Sequence, residues 1–282
     1  MITHISDTAR WVAYYRAMET ERPDSIFKDP FADRLAGPEG KGIVGEMKRG
    51  KQMAWAMIVR TAVFDELILD AIRGKNVDLV VNLAAGLDAR PWRLDLPPNL
   101  RWVDVDLPEI LDYKVDKLKD EKPKCRYEAI RVDLTDDAKR NAVLVQLGAS
   151  ATRAVVMTEG LLVYLTAEQV GALATDLHAG GSFRWWIIDL AHPRLLKIMQ
   201  RMWGKTVGTG NTQFKFAPAD GTKFFEKFGW REAVFRSSME EAKRLQREMK
   251  WMWFWRRLMK FYPKRIQEQF RRFSGVVVLE KT

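Results

Sequence analysis

The residues best suited to binding a ligand lie between Asp78 and Ile110. A short apolar run ends in a turn of small residues, Leu83-Ala84-Ala85-Gly86-Leu87-Asp88, and a second apolar segment ends in Asp104-Val105-Asp106. Small residues let the backbone approach a ligand closely, and a carboxylate after the second strand can accept hydrogen bonds from ribose hydroxyls. Strand, turn, helix start, strand and acid predict the nucleotide-binding half of an open α/β sheet.

The composition of this turn narrows the class of ligand. It holds a single glycine, Gly86, beside Ala84 and Ala85, and no full GxGxxG motif. A pyrophosphate usually requires several glycines for close backbone approach, so the turn favours an adenosyl ligand without phosphate, such as S-adenosylmethionine. An ordinary strand-helix-strand unit with a small-residue turn is the alternative.

The order of the predicted elements indicates the fold. Strands at about 79–83, 102–106, 127–132, 154–158 and 183–189 alternate with helices at about 88–95, 109–119, 136–147 and 167–179. This alternation predicts a parallel, doubly wound sheet. Two last strands, at about 229–235 and 275–280, suggest an antiparallel pair at its edge. Seven strands arranged in this way describe the Rossmann-like fold of class I methyltransferases.

A single domain over residues 1–282 is expected, with additions at three places. N-terminal helices fill residues 1–73, with a loop predicted from Gly37 to Gly50 because that stretch holds five glycines. Insertions at about 192–228 and 237–274 are longer than simple connections need, so a cap over the site is expected.

Composition excludes several classes of protein. No signal-peptide core and no run of about 18 apolar residues is present, and the single cysteine, Cys125, cannot form an internal disulfide, so a cytoplasmic location is expected. No Cys/His cluster has metal-site spacing, so no metal is expected. The net charge of +10 is concentrated between Lys243 and Arg272, where eleven Lys or Arg face two Glu, so no nucleic-acid surface is expected.

Six separated motifs occur along the chain in a recognisable order. They are RPDSIFKDPFADRL (22–35), Arg60-Thr61 with Asp65, NLAAGLDARPWRL (82–94), DVDLPEI (104–110), Val132-Asp133-Leu134 and EGLLVYL (159–165). The chain up to about residue 235 resembles the leucine carboxyl methyltransferase family, which includes many bacterial S-adenosylmethionine-dependent methyltransferases. The resemblance implies S-adenosylmethionine as cofactor and S-adenosylhomocysteine as its product.

The resemblance also implies a role for each matched residue. Arg60 pairs with the methionine carboxylate of the cofactor, and a planar guanidinium suits that contact. Ala84, Ala85 and Gly86 line the methionine and ribose, although the family usually has glycine where Ala84 stands. Asp106 binds the ribose diol.

The remaining matched residues stand after later strands. Asp133 and Leu134 contact the adenine, and Glu159 offsets the sulfonium charge and holds the amino group. Tyr164 follows at the mouth, where it can orient the acceptor. Asp104 is the fallback for the ribose contact.

Two further positions complete the candidate site. An N-terminal arginine, Arg16 or Arg10, supplies an additional basic contact. His192 follows the fifth predicted strand, where a general base could stand, although a structural role is the commoner one for such a histidine.

The chemistry of methyl transfer favours one acceptor class. Displacement at a sulfonium methyl depends mainly on positioning, and a carboxylate acceptor is already ionised and needs no base. The sequence therefore predicts an O-methyltransferase that acts on a carboxyl group of a small or lipidic molecule. A phenol or alcohol methyltransferase with His192 as base, and a non-catalytic cofactor-binding or membrane-associated module, are the alternatives.

The basic, aromatic stretch 250–265 allows three interpretations. On a helix, Trp251, Trp255, Leu258 and Tyr262 form one stripe. The stripe could pack on the core as a lid, line an apolar acceptor pocket rimmed by Arg and Lys, or attach residues 250–262 to anionic lipid.

Overall fold

A seven-stranded sheet forms the centre of the protein in the computed structural model, which describes residues 5–47, 50–207, 213–249, 252–259 and 261–282. The strands are β1 (Leu79–Leu83), β2 (Arg101–Asp106), β3 (Arg126–Arg131), β4 (Ala154–Thr158), β5 (Phe183–Ala191), β6 (Trp230–Ser237) and β7 (Ser274–Lys281). Their order is β3-β2-β1-β4-β5-β7-β6. The first five strands pair in parallel, and β7 runs antiparallel to both β5 and β6. This is the predicted class I methyltransferase fold.

Eleven α-helices are found in the described part of the chain. They are α1 (Ile5–Thr20), α2 (Ala32–Glu46), α3 (Gly50–Lys75), α4 (Arg90–Arg93), α5 (Pro108–Lys117), α6 (Asp137–Ala149), α7 (Ala167–Ala179), α8 (Pro193–Val207), α9 (Ser238–Arg244), α10 (Met252–Met259) and α11 (Lys264–Arg271). The helix predicted over 88–95 is shorter than expected because the chain is extended from Leu94. Pro97 disfavours the α conformation at the residue before it.

Helices cover both faces of the sheet, and this explains its apolar central strands. All five residues of β1 and all five of β4 are buried. One face packs against Leu144 of α6 and Leu173 of α7, and the other packs against Phe64 and Ile68 of α3. Parallel strands that are covered on both sides read as continuous apolar runs, which made them recognisable in the sequence.

The loop predicted from Gly37 to Gly50 is wrong, because most of this stretch belongs to α2. The helix contains a break at Gly37, where φ is +62° and Pro38 follows. Leu35 and Val44 are buried and hold the helix against its neighbours. A Cβ at Gly40 would lie 2.6 Å from the backbone oxygen of Arg10, so glycine there permits close packing of α1 on α2.

The aromatic stripe predicted near the C-terminus does not pack on the core at its described positions. Leu258 is 37% exposed and Tyr262 is 44% exposed. Residue Trp251 and the side chain of Trp255 lie outside the described part of the structure. Among the described side chains of α10, Met252 is the buried one.

The turn after β1 has an unusual backbone at Ala84. Its φ is +56°, in the left-handed region, and φ at Gly86 is +50°. A side chain in this region costs about 1 kcal/mol. The turn is anchored by the N–H of Ala84, which donates to the carbonyl of Val105 at 2.8 Å.

Ala84→Gly should therefore raise the free energy of unfolding by about 0.5 kcal/mol, since relief of strain exceeds the added freedom of the unfolded chain. Ala85→Gly is the matched control. Its φ is not positive, so it should lower stability by about 0.5–1 kcal/mol. Urea unfolding of both variants measures the two changes in the free energy of unfolding. Changes of the same sign in both variants would contradict the proposed strain at Ala84.

Candidate functional site

A cavity of about 680 Å³ opens at the carboxyl ends of β1, β2, β4 and β5. All nine residues predicted for the site line it: Arg60, Ala84, Ala85, Gly86, Asp106, Asp133, Leu134, Glu159 and Tyr164. These residues come from five separate stretches of the chain, which the fold brings to one edge of the sheet. Their individual roles toward a ligand remain predictions.

Asp106 anchors the turn after β1 from the end of β2. Its carboxylate accepts the N–H of Gly86 at 2.6 Å and that of Leu107 at 2.7 Å. Burial raises the pKa of Asp106, and the two N–H groups oppose this rise only in part. Carboxylate oxygens have further lone pairs, so Asp106 can still accept from a ligand diol.

Asp104, the fallback for Asp106, is committed elsewhere. It is fully buried and does not line the cavity. Its carboxylate binds Lys114 Nζ at 2.6 Å and accepts from Trp102 Nε1 at 2.9 Å. Although both aspartates lie on the same side of β2, only Asp106 reaches the strand end.

Asp133 lies in the turn that follows β3. Its Oδ1 accepts from the N–H of Thr135 at 2.8 Å and from the hydroxyl of the same residue at 2.7 Å. These bonds hold the exposed carboxylate at the rim of the cavity, beside the half-buried Leu134. The pair offers a polar and an apolar contact side by side.

Arg60 joins the ends of β4 and β5 from α3. Its Nε lies 3.0 Å from Glu159 Oε1, and its Nη1 lies 3.3 Å from Asp189 Oδ2. Asp189 also accepts the N–H of Gly160 at 2.6 Å. Burial lowers the pKa of Arg60, but Asp189 and Glu159 outweigh burial and raise it overall, so the guanidinium stays charged.

Arg90, at the start of α4, extends this ion-pair system beneath the turn. It binds Asp65 at 2.6 Å, Asp88 at 2.6 Å and the second oxygen of Glu159 at 2.8 Å. Burial would raise the pKa of Asp88, but the surrounding cations, above all Arg90, hold it at about 2. Glu159 is thus fixed by two arginines.

One connected network of ion pairs results, and its charges do not cancel. Arg16 and Arg93 share Asp29, and Arg93 binds Asp65, which links them to Arg90. Among the described residues the network contains four arginines and five carboxylates: Arg16, Arg60, Arg90, Arg93, Asp29, Asp65, Asp88, Glu159 and Asp189. The excess of one negative charge suits a ligand with a net positive charge.

Tyr164 lies in a short 3-10 turn, Leu162–Tyr164, after β4. Burial raises the pKa of its hydroxyl to about 12, with Arg60 opposing the rise. The phenol therefore keeps its proton near pH 7, which leaves it able to donate a hydrogen bond to a ligand. The hydroxyl of Thr61, which also lines the cavity, is buried without a partner in the described chain.

Beyond Tyr164 the cavity wall is apolar. Methionines and aromatic residues from α1, α3, α8 and the following loop form it: Trp11, Tyr15, Met53, Trp55, Met57, Met199, Met202, Phe214 and Phe216. Methionine side chains adapt readily to irregular shapes. Residues from both predicted insertions line the cavity, including Met199 and Met239. The description of the insertions as a cap stays a prediction.

The structure shows where the residues of two sequence alternatives lie, while their roles toward a ligand stay predictions. Arg16 lines the cavity, whereas Arg10 binds Tyr113 at 2.8 Å and does not line it. His192 is also absent from the cavity wall. Its Nδ1 accepts the N–H of Arg194 at 3.1 Å, and its ring stacks on Phe273, so its observed contacts are structural.

Arg90 and Asp189 are residues of the cavity that the sequence reading missed. Arg90 stands within the motif NLAAGLDARPWRL, where a buried charge was not expected. Asp189 falls near the end of the fifth strand, so the rule that identified Glu159, an acid at the end of a strand, would have found it. No cluster of potential metal ligands occurs in the described chain.

Comparison with known proteins agrees with this geometry. A sequence model of the leucine carboxyl methyltransferase family matches residues 9–178. The chain belongs to that family. A relative from Parafrankia sp., named as a candidate S-adenosyl-L-methionine-dependent methyltransferase, is 35% identical over 185 residues, which are 61% of this chain and 58% of the relative. A similarly named relative from Mycolicibacterium smegmatis is 33% identical over 196 residues, 64% of each chain.

The alignments thus span less than two thirds of these relatives' length. Among solved structures, a DUF574 family protein from Streptomyces avermitilis has a TM-score of 0.59 at 12% identity and is covered over 97% of its length, against 98% of this chain. That likeness concerns the fold. The names of these two relatives describe methyltransferases that depend on S-adenosyl-L-methionine.

Arg60→Ala and Asp106→Ala should each weaken the binding of S-adenosylmethionine by about 1–3 kcal/mol, the scale of a lost charged hydrogen bond. Isothermal titration calorimetry measures the change. Asp112→Ala removes an exposed carboxylate paired with Arg131 and serves as the control. Unchanged affinity in both site variants would show that the ligand binds elsewhere.

Stability should fall as pH decreases from about 4 to 2, because Asp88 has a folded pKa of about 2, below its ordinary value of 3.8. A carboxylate whose pKa is lower in the folded than in the unfolded state stabilises the folded protein at pH values above its unfolded pKa. This contribution of about 2 kcal/mol is lost as the pH falls through the folded pKa. Asp88→Asn should flatten the slope in this window, measured by urea unfolding. Asp95→Asn, at an exposed carboxylate, should retain the wild-type slope, and an equal slope in the Asp88 variant would refute the assignment.

Proposed function

We propose that this protein is an S-adenosylmethionine-dependent O-methyltransferase that methylates a carboxylate of a small or lipidic acceptor. The observation that carries the proposal is the cavity itself, in which a charged end at the strand termini continues into a wall of methionines and aromatics. The charged end fits an adenosyl sulfonium, and the apolar wall fits the body of the acceptor.

The residues at the strand ends fit the cofactor. Asp106 would accept the ribose hydroxyls, and Asp133 with Leu134 would contact the adenine. The buried hydroxyl of Thr61 supplies an unused polar group for the methionine portion. S-adenosylmethionine, when bound, supplies a methyl group on a positively charged sulfur, and an oxygen nucleophile can take this methyl group by in-line displacement of the sulfide.

Arg60 and Glu159 are already paired with each other, and this pairing organises the site. Arg60 offers its guanidinium to a carboxylate, while Glu159 and Asp189 offer oxygens to an ammonium group. Because the network carries an excess of negative charge, it favours a cation at this end of the cavity. Rigid, preformed charges of this kind stabilise bound charge without reorganisation.

The carboxylates that line the cavity are already engaged, which disfavours them as bases for a phenol or an alcohol. Asp106 accepts two backbone N–H groups, and Asp133 accepts the N–H and the hydroxyl of Thr135. Glu159 and Asp189 are bound to arginines, and Tyr164 keeps its proton far above neutral pH. His192 lies outside the wall. A carboxylic acid needs no such base because it is ionised at neutral pH. Such an acceptor would take the methyl group directly on its oxygen, so no residue of the chain would have to accept a proton.

Two residues are placed to receive an acidic acceptor. Tyr164 donates a hydrogen bond that orients one carboxylate oxygen, so that the other can approach the methyl group. Lys215 is exposed, lines the cavity, and is held next to Tyr164 because its N–H donates to the carbonyl of Val163 at 2.7 Å. Its ammonium group attracts the acid toward the opening.

The pH profile of kcat/KM distinguishes the acceptor classes. With a long-chain or aryl carboxylic acid, kcat/KM should stay constant within about twofold from pH 6 to 9, because the acid is ionised and no base titrates. The hydroxyl of Tyr164 should lose its proton, and with it the hydrogen bond to the acceptor, only near its pKa of about 12. Transfer of a radiolabelled methyl group to a panel of acids and matched phenols provides the measurement.

His192→Ala is the informative variant in the same assay. It should leave turnover of the acid unchanged, since the histidine lies outside the cavity wall. Methylation of phenols alone, with loss of turnover in His192→Ala, would replace the carboxylate assignment by the phenol one. Binding of S-adenosylmethionine without transfer to any acceptor would instead indicate a protein without turnover.

A further inference from the structure

Exposed aromatic side chains are concentrated in one segment that the site does not use. Six of the ten large apolar side chains that are exposed in the described chain lie between residues 253 and 266: Trp253, Phe254, Leu258, Phe261, Tyr262 and Ile266. Phe261 is 84% exposed and Trp253 is 55% exposed. Every exposed aromatic residue of the described chain belongs to this group, which we name the tail face.

The tail face results from the orientation of α10, which buries Met252 and exposes Trp253. Met252 is buried, so the opposite side of the helix faces solvent. Trp253 and Arg257 follow each other at a spacing of four and therefore share this outer side. Phe261 and Tyr262 continue the exposed surface past the end of the helix. The surface thus combines aromatic and cationic side chains.

Positive charge on the tail face is not neutralised within the described chain. Arg257, Lys264 and Arg265 are exposed, and no ion pair of the described residues includes them. From residue 249 to residue 267 the sequence contains neither Asp nor Glu.

Four other arginines of the C-terminal region differ in this respect, whereas the exposed Lys243 has no ion pair with a described residue. Arg244 pairs with Glu66 and Glu241, Arg247 pairs with the buried Glu19, and Arg271 and Arg272 pair with Glu268 and Glu232 respectively. Cationic side chains without an ion pair in the described chain therefore lie beside the exposed aromatic residues.

We propose that the tail face is a docking surface for an anionic lipid bilayer. Aromatic rings settle at the level of lipid headgroups, and Lys and Arg beside them bind phosphate while their stems remain in apolar surroundings. Charge complementarity selects an anionic lipid surface over a neutral one. No helix of the described chain is long and apolar enough to cross a membrane, so docking is peripheral.

A second cavity, of about 690 Å³, lies beside the tail face, because Met252, Met259 and Lys264 line it. Most of its other lining side chains are charged or polar, among them Glu240 and Arg271, so it is not an apolar passage to the main cavity. In a consequence that rests on the proposed function, docking holds the protein at the surface in which an amphiphilic acid is dissolved, which raises the concentration of the acceptor near the main cavity.

Sedimentation with vesicles tests docking independently of catalysis. Phosphatidylcholine vesicles and vesicles with one quarter phosphatidylglycerol are compared at about 50 and about 500 mM salt, where the Debye length is about 14 Å and about 4 Å respectively. The full chain should bind the anionic vesicles at least about tenfold more strongly at low salt. Arg257→Glu with Lys264→Glu and Arg265→Glu should reduce that binding at least about tenfold.

A second variant tests the apolar contribution. Trp253→Ala with Phe261→Ala should weaken vesicle binding at both salt concentrations, because it removes insertion and leaves charge unchanged. In the wild type, the fluorescence of tryptophan should shift to shorter wavelength with anionic vesicles, and the shift should decrease in this variant.

Matched controls separate the tail face from general surface properties. Lys122→Glu with Arg184→Glu and Lys223→Glu makes the same charge change at other exposed sites, and Val145→Ala removes an exposed apolar side chain elsewhere. Both controls should bind vesicles like the wild type. Circular dichroism should show all variants folded.

Three outcomes would overturn the proposal. The first is full recovery of the wild type in the supernatant, and the second is equal loss of binding in the charge control. The third is concentration-dependent dimerisation, seen by light scattering and abolished in the Trp253 and Phe261 variant, without vesicle binding; the occupant would then be a second copy of the chain. Failure of methyl transfer to carboxylic acids with intact docking would refute only the proposed function.

Discussion

The pairing of Glu159 with two arginines, the buried Arg90 and the partly buried Arg60, is the interaction on which the rest of the site depends. Arg60 comes from α3 and Arg90 from the turn region after β1, so this single carboxylate fixes a helix, a turn and a strand end relative to one another. Burial of so many charges is costly, and replacement by apolar residues often stabilises proteins. We interpret the retained network as preorganisation: charges are held in place before a charged ligand arrives.

From this network follows the division of the cavity into two chemically distinct ends. The ion-paired side chains and Asp106 occupy the strand termini, and methionines with aromatics cover the remainder. In the proposed function, the charged end would hold the cationic methyl donor and the apolar end would hold the acceptor. Methyl transfer by displacement depends chiefly on this alignment, which is why a site without a histidine base is chemically sufficient for a carboxylate.

Most of the sheet could be predicted because central strands such as β1 and β4 are continuous apolar runs. Asp106 and Glu159 could be predicted to lie at one edge of the sheet because they stand at the ends of β2 and β4, whereas their roles toward a ligand stay predictions. The helix Ala32–Glu46 could not be predicted, since its glycines suggest a loop, and only tertiary packing against α1 reveals why Gly40 is required. The partners of Arg60 also could not be predicted from the sequence. Arg60 is separated along the chain from Glu159 by 99 positions and from Asp189 by 129 positions, so these contacts depend on how α3 crosses the sheet.

The central claim is that the strand ends from Leu83 to Glu159 converge on one adenosyl ligand. A crystal structure of the protein with S-adenosylhomocysteine tests it most directly. The account predicts the ribose hydroxyls within hydrogen-bond distance of Asp106, the adenine beside Asp133, and the sulfur between Glu159 and Tyr164. A ligand bound outside this cavity, or bound with these side chains turned away, would contradict it.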